Sequence, residues 1–305
     1  MKRRNEILCR RRASLMVRLV ALVGLFASVV HPFVLSAQEK SFLWKVSKAG
    51  QSIYLLGSIH YLKKENFPLR KAILDALASS KKLVLEIDLN NTPAGSAQRA
   101  TLEKALYRDG TTLEQNIEPD IFQLATQRAA ELGMDANVLK PMKPWFVALT
   151  MMAIKLQQLG LNADFGVDRY LAERAKSTGK PTSGLETLEF QLSLLDQLPK
   201  RDQEMMLRET VTELDLLDQN IDQIVQAWLK GNSASLEELL LAGMKEYPEL
   251  YQKIIVDRNR RWLPQIEKFI AQGGQAMVTV GAAHLVGQDG VIEMLKKRGY
   301  ELEQQ

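Results

Sequence analysis

The chain has 305 residues, 40 basic and 36 acidic, with three histidines and one cysteine, Cys9. That length suffices for one large core, or for one core with a sizeable insertion, and a lone cysteine excludes a disulfide framework or a thiolate metal site. Residues 1–37 hold seven basic residues and one acidic; the remaining 268 hold 33 basic and 35 acidic, a net of −2, which lacks the basic stripe that nucleic-acid binding requires.

Residues 1–37 read as a signal peptide. Lys2, Arg3, Arg4, Arg10, Arg11 and Arg12 form a positive region, Leu19 to Val30 an uncharged apolar run, and Leu35-Ser36-Ala37 after Pro32 resembles a small-residue cleavage site. This predicts a periplasmic or secreted protein. Leu35 is larger than the residue usual three positions before a cut, so an uncleaved anchor facing the periplasm from the inner membrane is the alternative.

Residues 38–305 read as a single domain. Phe42 to Val46 and Ser52 to Leu56 flank a hairpin turn at 47–51. The second strand runs into Gly57-Ser58-Ile59-His60, where Gly57 is expected to let the backbone turn. Phe67-Pro68 opens a helix bearing Leu69, Ile73, Leu74 and Leu77. Lys82 to Asp88 is the next strand; Leu83 to Leu85 are apolar on both parities, as in a strand covered on both faces, and Glu86 interrupts them. A carboxylate there is costly unless it is paired or bound to a cation.

From about 90 to 178 the pattern is helical: Ala97 to Tyr107, Pro119 to Leu132, Pro144 to Leu159, and a helix from Asp168 through Lys176. The third is apolar nearly all round, and its methionines read as core packing. Residues 179–186 are expected to form a short strand and loop ending at Glu186. Residues 187–272 are helical again, with the polar cluster Asp257-Arg258-Asn259-Arg260-Arg261-Trp262 on an amphipathic helix. Ala276 to Val280 is an apolar strand running into Gly281-Ala282-Ala283-His284, Val291 to Lys297 is a helix, and Tyr300-Glu301-Leu302 ends the chain's patterned part. The expected fold is α/β: a central, mainly parallel sheet carrying two strand-Gly-x-x-His units, with large helical insertions at about 90–178 and 187–272.

Both histidines after residue 37 thus stand in Gly-x-x-His. Glycine is 18 of 305 residues, so two such placements by chance have a probability of roughly 0.3%. With Glu86, His60 and His284 supply the donor types of a His-His-carboxylate metal site with open positions, which would polarise a carbonyl and lower the pKa of bound water. The same three residues also suit metal-free work, with one histidine as general base and Glu86 setting its tautomer. Asp168 and Glu186 read more simply as helix capping or surface charge. Arg258 has three readings: it pairs a buried carboxylate, binds a substrate carboxylate, or snorkels to solvent.

Leu43-Trp-Lys-Val46, Tyr54-Leu-Leu-Gly-Ser-Ile-His60, Leu83-Val-Leu-Glu86-Ile-Asp88, Gly166-Val-Asp168, Gly184-Leu-Glu186-Thr187, Arg258-Asn259 and Val280-Gly-Ala-Ala-His284-Leu285, in this order, resemble the TraB/GumN family, which includes the Tiki metalloproteases. The resemblance implies an α/β fold related to the erythromycin esterase and ChaN-like group. It also implies an active site of His60, Glu86 and His284, here expected to bind a divalent ion of the manganese or cobalt kind, zinc remaining open. Asp168, Glu186, Arg258 and Asn259 are then expected to support those residues or to touch substrate. The resulting expectation is an exported metal-dependent hydrolase acting on a peptide or protein. The alternatives are a binding protein for a peptide signal or haem, and a metal-free esterase-like hydrolase.

Overall fold

A two-residue turn starts the fold. In the computed structural model, which describes residues 40–305 except 246 and 274, β1 (Leu43–Lys48) and β2 (Gln51–Ser58) pair antiparallel from Leu43 with Leu56 to Lys48 with Gln51. Ala49 and Gly50 join them with φ of 49° and 78°, the positive values that match a hairpin turn to the strand twist. The signal-peptide and anchor readings of residues 1–37 lie outside the described residues.

β3 (Lys82–Leu85), β4 (Thr182–Gly184), β5 (Ala276–Gly281) and β6 (Glu301–Gln304) complete a six-stranded sheet in the order β4-β3-β5-β2-β1-β6. β2 with β5, β5 with β3 and β3 with β4 are parallel; β1 is antiparallel to β2 and β6. The expected α/β fold with a mainly parallel sheet is observed. β5 is buried at every position because it is paired on both sides and covered on both faces. Since β2, β5 and β3 are neighbours running the same way, their C-terminal ends open on one edge, where ligands meet α/β sheets.

Helices fill both long intervals. Those between β3 and β4 include Ala94–Ala105, Pro119–Glu131, Pro144–Gln158 and Val167–Ser177. Those between β4 and β5 include Leu188–Asp196, Lys200–Glu213, Leu217–Leu229, Ser233–Lys245 and Asp257–Ala271. Helices Pro119–Glu131, Pro144–Gln158 and Lys200–Glu213 build a core apart from the sheet, with Ala125, Val147, Met151 and Leu207 fully buried. Met151 is therefore core packing, as its apolar helix suggests. Among the described residues no helix is long and apolar enough to cross a membrane.

Two local expectations change. The first helix spans Lys71–Ser79 rather than starting at Phe67-Pro68: Phe67 stacks on Tyr170 with ring centroids 4.7 Å apart, and extended Arg70 precedes the helix. β3 stops at Leu85, so Glu86 lies one residue past the strand, where its carbonyl accepts the N–H groups of Leu185 and Glu186 at 3.1 and 3.0 Å.

Gly57 also differs from its expected role. It lies inside β2 rather than at a turn, and a Cβ there would come within 2.3 Å of the ring of Phe42, which is buried edge-on against Trp44. Its carbonyl accepts the indole N–H of Trp228 at 2.6 Å. The residue permits close packing of a strand on an aromatic pair. Gly57→Ala is expected to destabilise the fold by about 1–3 kcal/mol through overpacking, read as a lower urea midpoint.

Candidate functional site

The parallel strand ends bring the Gly-x-x-His units together. A methyl group built on Gly281 would lie 3.2 Å from Glu86 Oε1 and 3.6 Å from both His60 Nε2 and His284 Cδ2. Residues 60, 86 and 284, far apart in the chain, thus surround one point at the end of β5. The glycine keeps that point open.

His60 is held from behind. Its Nδ1 lies 2.6 Å from Asp168 Oδ2, and Asp168 Oδ1 accepts the Ser58 hydroxyl at 2.6 Å. Ser58, the last residue of β2, and His60, two residues beyond it, both reach the Asp168 carboxylate. Asp168 reaches them because Gly166 packs against the His60 carbonyl, which a Cβ would approach to 2.4 Å, and Val167 N–H donates to Ile59 O at 2.9 Å. The simpler reading of Asp168 as a cap or surface charge is therefore corrected: its carboxylate is bonded to His60 and Ser58. The His60 side chain is 60% exposed, yet the Asp168 charge raises its pKa to about 9 against the opposing effect of desolvation. Near neutral pH His60 carries a proton on each nitrogen.

His284 is the opposite kind of histidine. It is buried, its ring 4.5 Å from that of Trp262. Asn259 donates to the carbonyls of His284 and Asp289 at 3.2 and 2.8 Å, so its Oδ1, 2.7 Å from His284 Nδ1, is left to accept the Nδ1 proton. Nε2 then carries the lone pair, and it accepts from Arg258 Nη1 at 2.9 Å. Burial drives the His284 pKa down to about 3 despite the attraction of Glu86, so this ring is neutral at ordinary pH.

Arg258 joins the remaining groups. Its Nη2 donates to Glu86 Oε2 at 2.5 Å and to Glu186 Oε1 at 2.6 Å, its Nε donates to Glu186 Oε1 at 3.0 Å, and its guanidinium lies 4.6 Å from the Trp262 ring centre. Glu186 also accepts from Trp262 Nε1 at 3.0 Å and from Gln191 at 2.8 Å, and is 2% exposed. Its reading as a surface charge is corrected too; of the three readings of Arg258, pairing with buried carboxylates is the one observed. Glu86 takes the Gly281 N–H on Oε1 at 2.7 Å and Gln191 on Oε2 at 3.0 Å. Burial would raise the Glu86 pKa, but facing positive charge (His284 when protonated, Arg258, His60) and the Gly281 N–H lower it to about 2. Above the His284 pKa, Arg258 and His60 are the cations that keep it ionised.

The expected metal set meets an obstacle in this arrangement. The donor types suit a divalent ion, but the lone pair of His284 is engaged by Arg258, as is one oxygen of Glu86. Among the described residues no group of three or more His, Cys, Asp or Glu side chains is arranged to hold a metal ion. As arranged, the residues do not fit a cation.

A cavity of about 390 Å³ opens onto His60, Glu86, Gln191 and Arg258, its walls made of leucine, isoleucine and methionine side chains from several helices. A larger cavity of about 490 Å³ lies against β1 and β6 and is lined by none of the candidate residues. Sequence reasoning missed Gln191 and Ser58. Strand alternation could have found Ser58, two residues before His60; nothing local marks Gln191.

The TraB/PrgY/gumN family matches residues 42–304. Uncharacterized protein YbaP of Escherichia coli K12 is 27% identical over 243 residues, covering 80% of this chain and 87% of that protein. A metalloprotease TIKI homolog of Nematostella vectensis and metalloprotease TIKI2 of Danio rerio are each 22% identical, covering 86% of this chain and 66% and 60% of those proteins. No solved structure gives a significant match. Glu186→Gln removes a buried charge that holds Arg258 and Trp262, so it is expected to lower unfolding stability by about 3 kcal/mol in urea.

Proposed function

Since the chain belongs to the TraB/PrgY/gumN family, we propose that it is an exported hydrolase of peptides whose reaction is run from His60. The observation that carries this is the convergence of His60 Nε2 and Glu86 Oε1 near Gly281, with His60 and Glu86 both lining an apolar-walled cavity. Export is supported by the charge and apolar pattern of residues 1–37, and a peptide substrate by the metalloprotease names of the TIKI relatives.

The roles follow from the hydrogen bonds. Asp168 fixes the His60 ring through Nδ1, leaving Nε2 as the working nitrogen. A water between Nε2 and Glu86 Oε1 is positioned to attack a carbonyl carbon placed above Gly281. Neutral His60 takes the water proton as the C–O bond forms and returns it to the leaving nitrogen as the C–N bond breaks. Glu86 stays ionised and orients the water, and the Arg258 charge offsets the negative charge that develops on the carbonyl oxygen. Substrate filling the cavity excludes bulk water.

Because His60 must be neutral to act as base, kcat/KM for a fluorogenic peptide is expected to rise with pH up to about 9, where its pKa lies. His60→Ala removes the base and is expected to lower kcat/KM by a factor of 10² or more. Asp168→Asn removes the charge that raises the His60 pKa: kcat should fall while the rising limb moves to lower pH. A limb unmoved in Asp168→Asn sinks the assignment of His60 as base.

A second reading, divalent-metal dependence with manganese, cobalt or zinc at His60, Glu86 and His284, is favoured by the names of the TIKI relatives and by the donor types. It requires Arg258 to leave His284. Activity that survives chelation and is not raised by added manganese or cobalt supports the first reading; loss on chelation with recovery on addition of one metal supports the second.

A further inference from the structure

Arg258 has more partners than an ordinary structural arginine needs. Glu186 alone gives it a two-point anchor through Nε and Nη2, and Trp262 covers its face. Nη1 also donates to the Ile254 carbonyl at 3.3 Å, and two further contacts, Nη2 with Glu86 at 2.5 Å and Nη1 with His284 Nε2 at 2.9 Å, are made to groups that would otherwise be free to bind a cation. A neutral imidazole presents one lone pair, so a metal ion and an arginine N–H cannot share His284 Nε2.

We infer that the Arg258 guanidinium is an internal competitor for a divalent cation at Glu86 and His284, the two being mutually exclusive occupants of that site. Four features support it. His284 Nδ1–H is committed to Asn259, so the ring cannot turn its other nitrogen to a metal without breaking that bond. Glu86 Oε1 lies 4.0 Å from His284 Nε2, so the two donors already face a shared space, and the guanidinium bonds to the residues on both sides of it. Arg258 also keeps its Glu186 anchor without either contact, so release needs a pivot of the guanidinium rather than loss of all its partners. A π-helical turn, Gln252–Val256, immediately precedes its helix, a feature enriched where helices serve sites.

The inference concerns binding and stands whether or not the hydrolase reading does. The chelator-treated full chain is titrated with Co²⁺, with calorimetry giving the affinity and the visible absorption of Co²⁺ reporting coordination. Arg258→Met is expected to bind Co²⁺ at least tenfold more tightly than the wild type, and adding His284→Gln to that variant should abolish the gain. Arg258→Gln, smaller and uncharged but able to hydrogen-bond, should show a smaller gain in the same direction. Variants that bind no more tightly than the wild type overturn the inference, as does a gain that survives His284→Gln. Should both variants fail to fold, side-chain nitrogen NMR of the wild type decides. Diamagnetic Zn²⁺ at His284 with the Arg258 guanidinium signals unchanged overturns it, as does no occupation of His284 at millimolar Zn²⁺; release of Arg258 when His284 is occupied supports it.

Discussion

The site depends on one buried cation. Arg258 lies among Glu86, Glu186 and His284, and each of these groups would be unfavourable without it: two carboxylates in an apolar surround, and an imidazole whose lone pair would face no donor. Partners on every side compensate a desolvation that would otherwise cost several kcal/mol per ion. Trp262 and Gln191 complete the enclosure by donating to Glu186, so the cluster behaves as one cooperative unit.

That unit makes the two histidines chemically different although they stand in the same motif. His284, enclosed with Arg258 and Trp262, is neutral and committed through both nitrogens. His60, on the wall of the cavity and backed by Asp168, is readily protonated and keeps Nε2 directed at the open point over Gly281. The two rings are pushed in opposite directions within one crevice, and of the two it is His60 that keeps Nε2 for proton exchange. The motif glycines divide as well. Gly57 admits the Phe42 ring, whereas Gly281 leaves room for what reacts.

The helical intervals matter to this chemistry by shape. Strand ends alone offer a shallow edge, and the walls of the cavity come from helices on both sides of β4. Helices Pro119–Glu131, Pro144–Gln158 and Lys200–Glu213 pack on one another, so that side of the crevice rests on its own core rather than on the sheet.

Much of the fold was legible because its signals are local. Alternation marked the hairpin, proline and glycine marked the ends of the longer helices, and the paired apolar-run-Gly-x-x-His pattern pointed to His60 and His284. Glu86 was legible because a carboxylate interrupting a doubly apolar run has to be compensated. Asp168 and Glu186 were legible only through the resemblance, since by itself an acid after a short loop looks the same in sequence whether it caps a helix or backs a histidine. Gln191 had no signal at all, being a polar residue on a helix until the fold turned it to two carboxylates. The sequence by itself determined which residue types were available and which segments were strands and helices, because those follow from periodicity and backbone preference. Only the tertiary structure decided that Arg258, 172 residues from Glu86, takes the place between Glu86 and His284 where a cation was expected. Charge pairing across such separations is set by how strands are ordered in the sheet, and no local pattern encodes that order.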